Sequence, residues 1–275
     1  SLVGSEMCIR DSPFAAAYLL ITGKLDLNFY IGTLFFLIPY NLLMYGINDV
    51  FDHESDLRNP RKGGIEGALL PKEIHRTVIW SAVLSCVPFV VYLLIVGNLS
   101  SSLWLALFLF TVIAYSAKHL RFKEKPLLDS ITSASHFVGP MIFALAITNQ
   151  NLADPKLGAI IAAFMLWGMA SHAFGAVQDV KADREADIAS IATYFGARTT
   201  TRVALVMYLA AGFYLLTLGW PQNLVAIAVI PYLAILIPHL SITDETCESA
   251  NRGWKKFIYI NFAAGILVNM VLIST

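Results

Sequence analysis

At 275 residues, 57% of them hydrophobic and only 14% charged, with a mean hydropathy of +0.66, the chain is too apolar for a soluble domain, where charged residues run near about 25%. Net charge is zero, and no nucleic-acid partner is expected. Cys8, Cys86 and Cys247 lie far apart with no CxxC pair, which argues against a disulfide framework or a zinc site. The class that fits is all-α and polytopic, with the lipid bilayer as its solvent.

Taken in order, residues 1–12 (SLVGSEMCIRDS) are polar and without helical period, and only Pro13 to Thr22 is apolar. Ten residues at about 1.5 Å each do not cross about 30 Å of hydrocarbon, so the first helix is expected to be truncated or altered. Residues 1–12 are expected to be foreign to the rest, which reads as one domain over 13–275. No secretory signal is evident. Clear spans follow at 29–50, 77–96, 103–117, 127–147, 157–177, 203–218, 224–240 and 257–273. With the short first segment, the expectation is a nine-helix bundle.

Charge sorting supplies the orientation. Sixteen of the nineteen basic residues fall in the loops after the even-numbered spans and their flanks, and only Lys24 and Lys156 in the odd loops. The positive-inside rule places the even loops in the cytoplasm and the chain in the cell membrane. The odd loops carry only Asp26 and Asp154 as acids, so charge of both signs gathers on one face, as expected where a charged group is handled there.

Two acidic clusters stand out on that side. Gly46 to Lys62 carries Asn48, Asp49, Asp52 and Asp56 at the end of the second span, followed by Arg58, Arg61 and Lys62. Steps of four residues drift only about 40° around a helix, so Asn48, Asp52 and Asp56 share a face. After the sixth span, Asp179, Asp183 and Asp187 repeat the spacing, and the same arithmetic predicts a second helical stripe. One acidic helix end is ordinary at a membrane surface. Two with matching period are better explained by a hard cation, which relieves their mutual repulsion and also opposes the unfavourable placement of acids at helix C-termini. Facing each other, the stripes would form a carboxylate cage for Mg2+, which binds phosphate oxygens.

The loop after the fourth span adds Lys118, Arg121 and Lys123, donors suited to an anion, although positive-inside bias alone accounts for two or three such residues. His136 and His172 lie within spans five and six, where a packing role outweighs that of a catalytic base. Aromatics near the acidic helices, among them Tyr40 and Phe174, are expected mainly to pack, with some available to stabilise a carbocation.

Asn48-Asp49-x-x-Asp52-x-x-x-Asp56 resembles the first signature of the UbiA-type membrane prenyltransferases, and Asp179-x-x-x-Asp183-x-x-x-Asp187 their second. Tyr115-Ser116…Lys118…Arg121…Lys123 is similar to the family's basic loop. The runs Tyr45 to Gly64, Gly175 to Asp187 and Ser190 to Arg198 are most similar to the actinobacterial lycopene elongases of C50 carotenoid biosynthesis. The resemblance implies a nine-helix bundle that uses Mg2+ to bind an allylic diphosphate, dimethylallyl diphosphate in this branch, and to prenylate a lipophilic polyene, lycopene, at the cytoplasmic side. On it, Asp49, Asp52, Asp56, Asp179, Asp183 and Asp187 are the expected metal ligands, with Asn48, Asp52 and Asp183 closest to the chemistry. Arg58, Lys118, Arg121 and Lys123 are the expected diphosphate contacts. The N-terminus departs from the family, which begins with an Arg-Pro-containing helix.

Three other readings use parts of the same pattern. An aromatic acceptor (quinone, haem or chlorophyll-type) fits the same motifs. A cation transporter would need polar groups through mid-span, and spans two to four offer little beyond Asn41, Ser85 and Thr111. A membrane scaffold would need neither motif.

Overall fold

The computed structural model describes residues 12–57 and 69–273, with side chains for all of these except Ser12, Ser55, Asp56, Ile258, Leu272 and Ile273. The described residues form helices and turns, with no strand among them. Backbone contacts divide the chain into two compact units, 1–121 with 139–151 and 122–138 with 152–275.

In the first unit, α1 (Ser12–Thr22), α2 (Leu27–Leu37), α3 (Pro39–Asp56), α4 (His75–Val96) and α5 (Leu99–Ser116) pack in sequence, α3 lying against both α4 and α5. Polar caps set their starts. Asp26 accepts a hydrogen bond from the Phe29 N–H at 3.0 Å at the head of α2, and Asn98 with Ser101 forms a capping box at α5. The core is aromatic, with Phe14, Phe35, Phe36, Tyr40 and Phe143 buried together. At Gly32 an added Cβ would stand 2.2 Å from the Phe14 ring; α1 seats against α2 there because no side chain intervenes.

The second span, expected at 29–50, falls within the single apolar segment Leu27–Glu54 and carries a bend. The helix breaks at Ile38, ahead of Pro39, which has no N–H to give and disfavours the helical conformation in the residue before it. The amide of Asn41, itself buried, donates to the carbonyls of Phe36 at 2.8 Å and Leu37 at 3.2 Å. An apolar segment thereby keeps its backbone satisfied at the bend.

In the second unit the first part of α6 (Leu128–Ile147) joins α7 (Pro155–Val177), α8 (Val180–Glu185), α9 (Ile191–Phe195), α10 (Ala197–Leu216), α11 (Val229–Leu236) and α12 (Asn251–Ile273). Asp154 caps α7 and Pro155 occupies its first turn, where the missing N–H costs nothing. The core lies where α7 packs on α10, with Phe174, Tyr208, Tyr232 and Leu236 buried and the two tyrosine rings stacked at 5.0 Å. Span eight is not one regular helix: Gln222–Ala228 and Ile237–His239 are 3-10 turns on either side of α11.

Among the described residues, seven segments are long and apolar enough to cross a membrane, from Leu27–Glu54 to Gln222–His239, and Pro13–Thr22 is a shorter apolar helix. The outward side chains are themselves apolar, with Leu84 61%, Ile95 76% and Phe213 67% exposed. A surface of this kind is stable only against lipid. The chain is a multi-pass membrane protein.

Candidate active site

The first acidic motif sits on the last turns of α3, which is helical without interruption from Pro39 to Asp56. Asn48, Asp49 and Asp52 are half-buried there. The Ser116 hydroxyl, at the end of α5, donates to Asn48 Oδ1 at 2.9 Å, which fixes the amide's orientation. Asp52, its side chain only 13% exposed, lies 3.8 Å from a terminal guanidinium nitrogen of Arg121. That is looser than a direct hydrogen bond and close enough for charge attraction.

Arg121 reaches Asp52 by way of a left-handed backbone, φ 38°, just after α5 ends, with its N–H on the Ala117 carbonyl at 2.9 Å. Non-glycine residues take this conformation at a cost. Lys118 is exposed in the same turn and Lys123 is half-buried in the 3-10 turn Phe122–Glu124. Asp56 ends α3, its side chain outside the described set; Arg58, Arg61 and Lys62 lie outside the described residues altogether.

The second motif departs from the expected stripe. Instead of extending α7 through Asp187, the helix ends at Val177, tightens through Gln178 and Asp179, and restarts as the six-residue α8. Asp179 and Asp183 are still one turn apart, the Asp183 N–H bonding the Asp179 carbonyl at 2.8 Å. Asp187, in contrast, lies past the helix with φ 56°. Its N–H bonds the Arg184 carbonyl at 3.3 Å and the next N–H, of Ile188, bonds that of Asp183 at 2.8 Å, the Schellman arrangement that glycine usually closes. The break moves Asp179 to the N-cap position of α8 and Asp183 into that helix, where a negative charge is better placed than at the C-terminus of α7, whereas Asp187 lies past the C-terminal end of α8. Asp179 and Asp183 are half-buried and Asp187 is exposed.

Polar residues outside the motif hold this segment. Within it, Arg184 donates from Nη1 to Asp244 Oδ2 at 2.6 Å and from Nη2 to the Thr193 carbonyl at 3.1 Å. Asp244 Oδ1 accepts from the Ala197 N–H, the first of α10, at 2.7 Å. Gly196, between α9 and α10, has φ 80° and ψ 157°, a region open essentially to glycine alone.

The Ala197 N–H is the main reason the Asp244 carboxyl is held below the ordinary aspartate value of 3.8, with Arg184 adding to it against partial burial. A depressed carboxylate contributes stability above its unfolded pKa that is lost as pH falls through the folded one. Asp244→Asn is therefore expected to lower the apparent Tm near pH 7, and the gap to the parent should close as pH drops below about 4. Thermal shift across pH 3 to 7 measures this, and a gap that does not change with pH rules the linkage out.

Sequence reasoning missed Asp129 and Asp244, and named Ser116 only as part of the basic-loop resemblance, with no role for its hydroxyl. Asp129 carried a usable signal, a carboxylate at the head of an apolar span; its burial is complete. His136 is buried in α6, and His172 is partly exposed on α7 with its Nε2 3.7 Å from Asp129. Phe35, Phe36, Tyr40 and Phe174 are packed in the cores.

Among the described residues no group of three His, Cys, Asp or Glu side chains forms a ready cation cage. Mg2+ requires less than that: one or two carboxylates, with waters and substrate phosphates completing its octahedron. Asp49 and Asp52 in one motif, and Asp179 and Asp183 in the other, are hard oxygen donors that meet this requirement.

Residues 12–263 match the UbiA prenyltransferase family. The chain is 53% identical over 263 residues to a C(50) beta-cyclic carotenoids biosynthesis protein of Dietzia sp. (strain CQ4), a match that covers 95% of this chain and 61% of that longer protein. It is 49% identical over 262 residues to the lycopene elongase/hydratase of Corynebacterium glutamicum, covering 95% of this chain and 91% of the relative. A UbiA homolog from Archaeoglobus fulgidus, solved bound to DMAPP and Mg2+, superposes with a TM-score of 0.65 at 18% identity, with 96% of each chain covered. At that identity the likeness is one of fold.

Proposed function

The chain belongs to the UbiA prenyltransferase family, and on that premise we propose that it transfers a dimethylallyl group from its diphosphate to lycopene, working from the cytoplasmic side of the cell membrane. The observation that carries the acceptor is the near-half identity, along almost the whole chain, to a lycopene elongase/hydratase. The chemistry rests on the two acidic motifs and on Arg121 beside Asp52.

In this reading Asp49, Asp52 and Asp56, and separately Asp179, Asp183 and Asp187, serve as Mg2+ ligands. Bound Mg2+ supplies neutralisation of the diphosphate as its C–O bond breaks. Asn48, oriented by Ser116, holds a diphosphate oxygen or a coordinated water. Arg121 exchanges its loose contact with Asp52 for phosphate oxygens, and Arg58, Lys118 and Lys123 add positive charge where the leaving group accumulates negative charge. The C–O electron pair leaves with diphosphate, and the terminal double bond of the polyene attacks the allyl cation. The tertiary cation that results loses a proton or takes up water.

Purified protein in lipid nanodiscs, given dimethylallyl diphosphate and lycopene, should release diphosphate and form prenylated lycopene only with Mg2+. EDTA should stop both, and added Mg2+ should restore them. Turnover with hydroxybenzoate or a naphthoate but with no polyene would reassign the acceptor to the aromatic class.

A further inference from the structure

Neither motif uses the buried carboxylate of Asp129. It sits at the start of α6 with 0% exposure. Oδ2 accepts from the backbone N–H of Ile191, the first residue of α9, at 2.7 Å, and lies 3.7 Å from Nε2 of His172 on α7. Oδ1 accepts from the N–H of Ser130 at 2.6 Å and from its hydroxyl at 3.2 Å. A carboxylate is buried at this depth only when such donors compensate its lost hydration.

The positions of these partners along the chain carry the argument. His172 precedes Asp179 by seven residues and Ile191 follows Asp187 by four. The segment bearing the second acidic motif therefore leaves one buried side chain and returns to it. Between those points the backbone breaks from α7, forms the short α8 and turns through the left-handed Asp187. A path with so many non-helical steps has no continuous ladder to hold its carboxylates in place; its geometry depends on how its ends are fastened. Arg184, bonded to Asp244 and to the Thr193 carbonyl, fastens the middle.

We infer that Asp129 is a positioning residue for the second acidic motif, holding by a hydrogen bond to the Ile191 N–H the far end of the segment that presents Asp179, Asp183 and Asp187 to a divalent cation and its diphosphate, while facing His172 at 3.7 Å where the segment begins. The inference rests on the functional reading above. Groups of this kind behind metal ligands typically cost about 10- to 100-fold in metal affinity when removed.

The test measures Mn2+ binding to the full chain by electron paramagnetic resonance, alongside calorimetric binding of dimethylallyl diphosphate and steady-state kinetics. Asp129→Ala should weaken Mn2+ binding about 10- to 100-fold and raise the Mg2+ concentration needed for half-maximal rate, with the KM for lycopene within about twofold of the parent. Asp129→Asn keeps an oxygen for the Ile191 N–H and should recover part of the Mn2+ affinity, so it decides the matter if the alanine variant does not fold. Folded variants that bind Mn2+ like the parent, or lose activity only through a smaller active fraction with unchanged metal dependence, overturn the positioning role alone. A parent chain that binds neither Mn2+ nor dimethylallyl diphosphate overturns the functional reading and the positioning role with it.

Discussion

Asp52→Asn is expected to reduce prenyl transfer by about 10²- to 10³-fold, the range seen when a group that stabilises developing charge is removed, while leaving the protein folded. Asparagine matches aspartate in shape and keeps an oxygen near Arg121, but it supplies no negative charge for a cation. The Asp52–Arg121 contact is loose at 3.8 Å, and the substituted side chain keeps an oxygen facing the guanidinium, so the fold should be retained. The competing explanation, that Asp52 serves only as a partner for Arg121, predicts the reverse pattern of lost stability and retained activity. Diphosphate release and apparent Tm measured on one preparation separate the two, and activity within tenfold of the parent would sink the catalytic reading. Arg121→Gln is the companion variant, expected to raise the KM for the diphosphate more than that for the polyene.

Asp187→Gly should divide stability from activity in the opposite sense. Asp187 closes a Schellman turn at φ 56°, a position where glycine is the usual residue and a side chain is tolerated at a cost. Glycine relieves that cost and gives back part of it through the greater freedom of the unfolded chain, so apparent stability should stay level or rise by up to about 1 kcal/mol. Activity should fall at least about tenfold, by analogy with the loss of any one group supporting a metal site. Asp187→Asn, which also tolerates the left-handed region, should lose activity to a similar degree. A glycine variant with full activity would mean that the carboxylate does no more than end a helix.

The left-handed residues have a wider implication. Among the described residues, four that are not glycine have positive φ: Arg121, Leu127, Asn149 and Asp187. Two of these were singled out from sequence for their charge alone. Backbone strain tends to persist where surrounding structure requires it and often marks functional positions. For Asp187 the conformation is that of a helix-closing turn, and for Arg121 it turns the chain just after α5.

The membrane class, the approximate spans and the two acid clusters were readable from the chain because each depends on local composition or short spacing. Long apolar runs need no tertiary partner to be recognised, and i, i+4 spacing on α3 survived because that helix has no break between Pro39 and Asp56. Asp179 to Asp187 has the same spacing and a different outcome. Extending α7 would have placed all three acids on its C-terminal end; the restart at Val180 puts Asp179 at an N-cap instead and leaves Asp187 in the turn that closes α8.

The residues that hold the motifs were decided by tertiary structure. Ser116 is 68 positions from Asn48, Asp129 is 62 from Ile191, and Asp244 is 60 from Arg184. No period or spacing rule joins such pairs, because they meet only after whole helices have packed. By itself the sequence determined which oxygen donors are present and that they follow the ends of apolar spans, since charge cannot be hidden in an apolar span without showing. Tertiary structure decided how those donors are aimed, because aim depends on distant hydrogen bonds and on left-handed turns that carry no compositional mark.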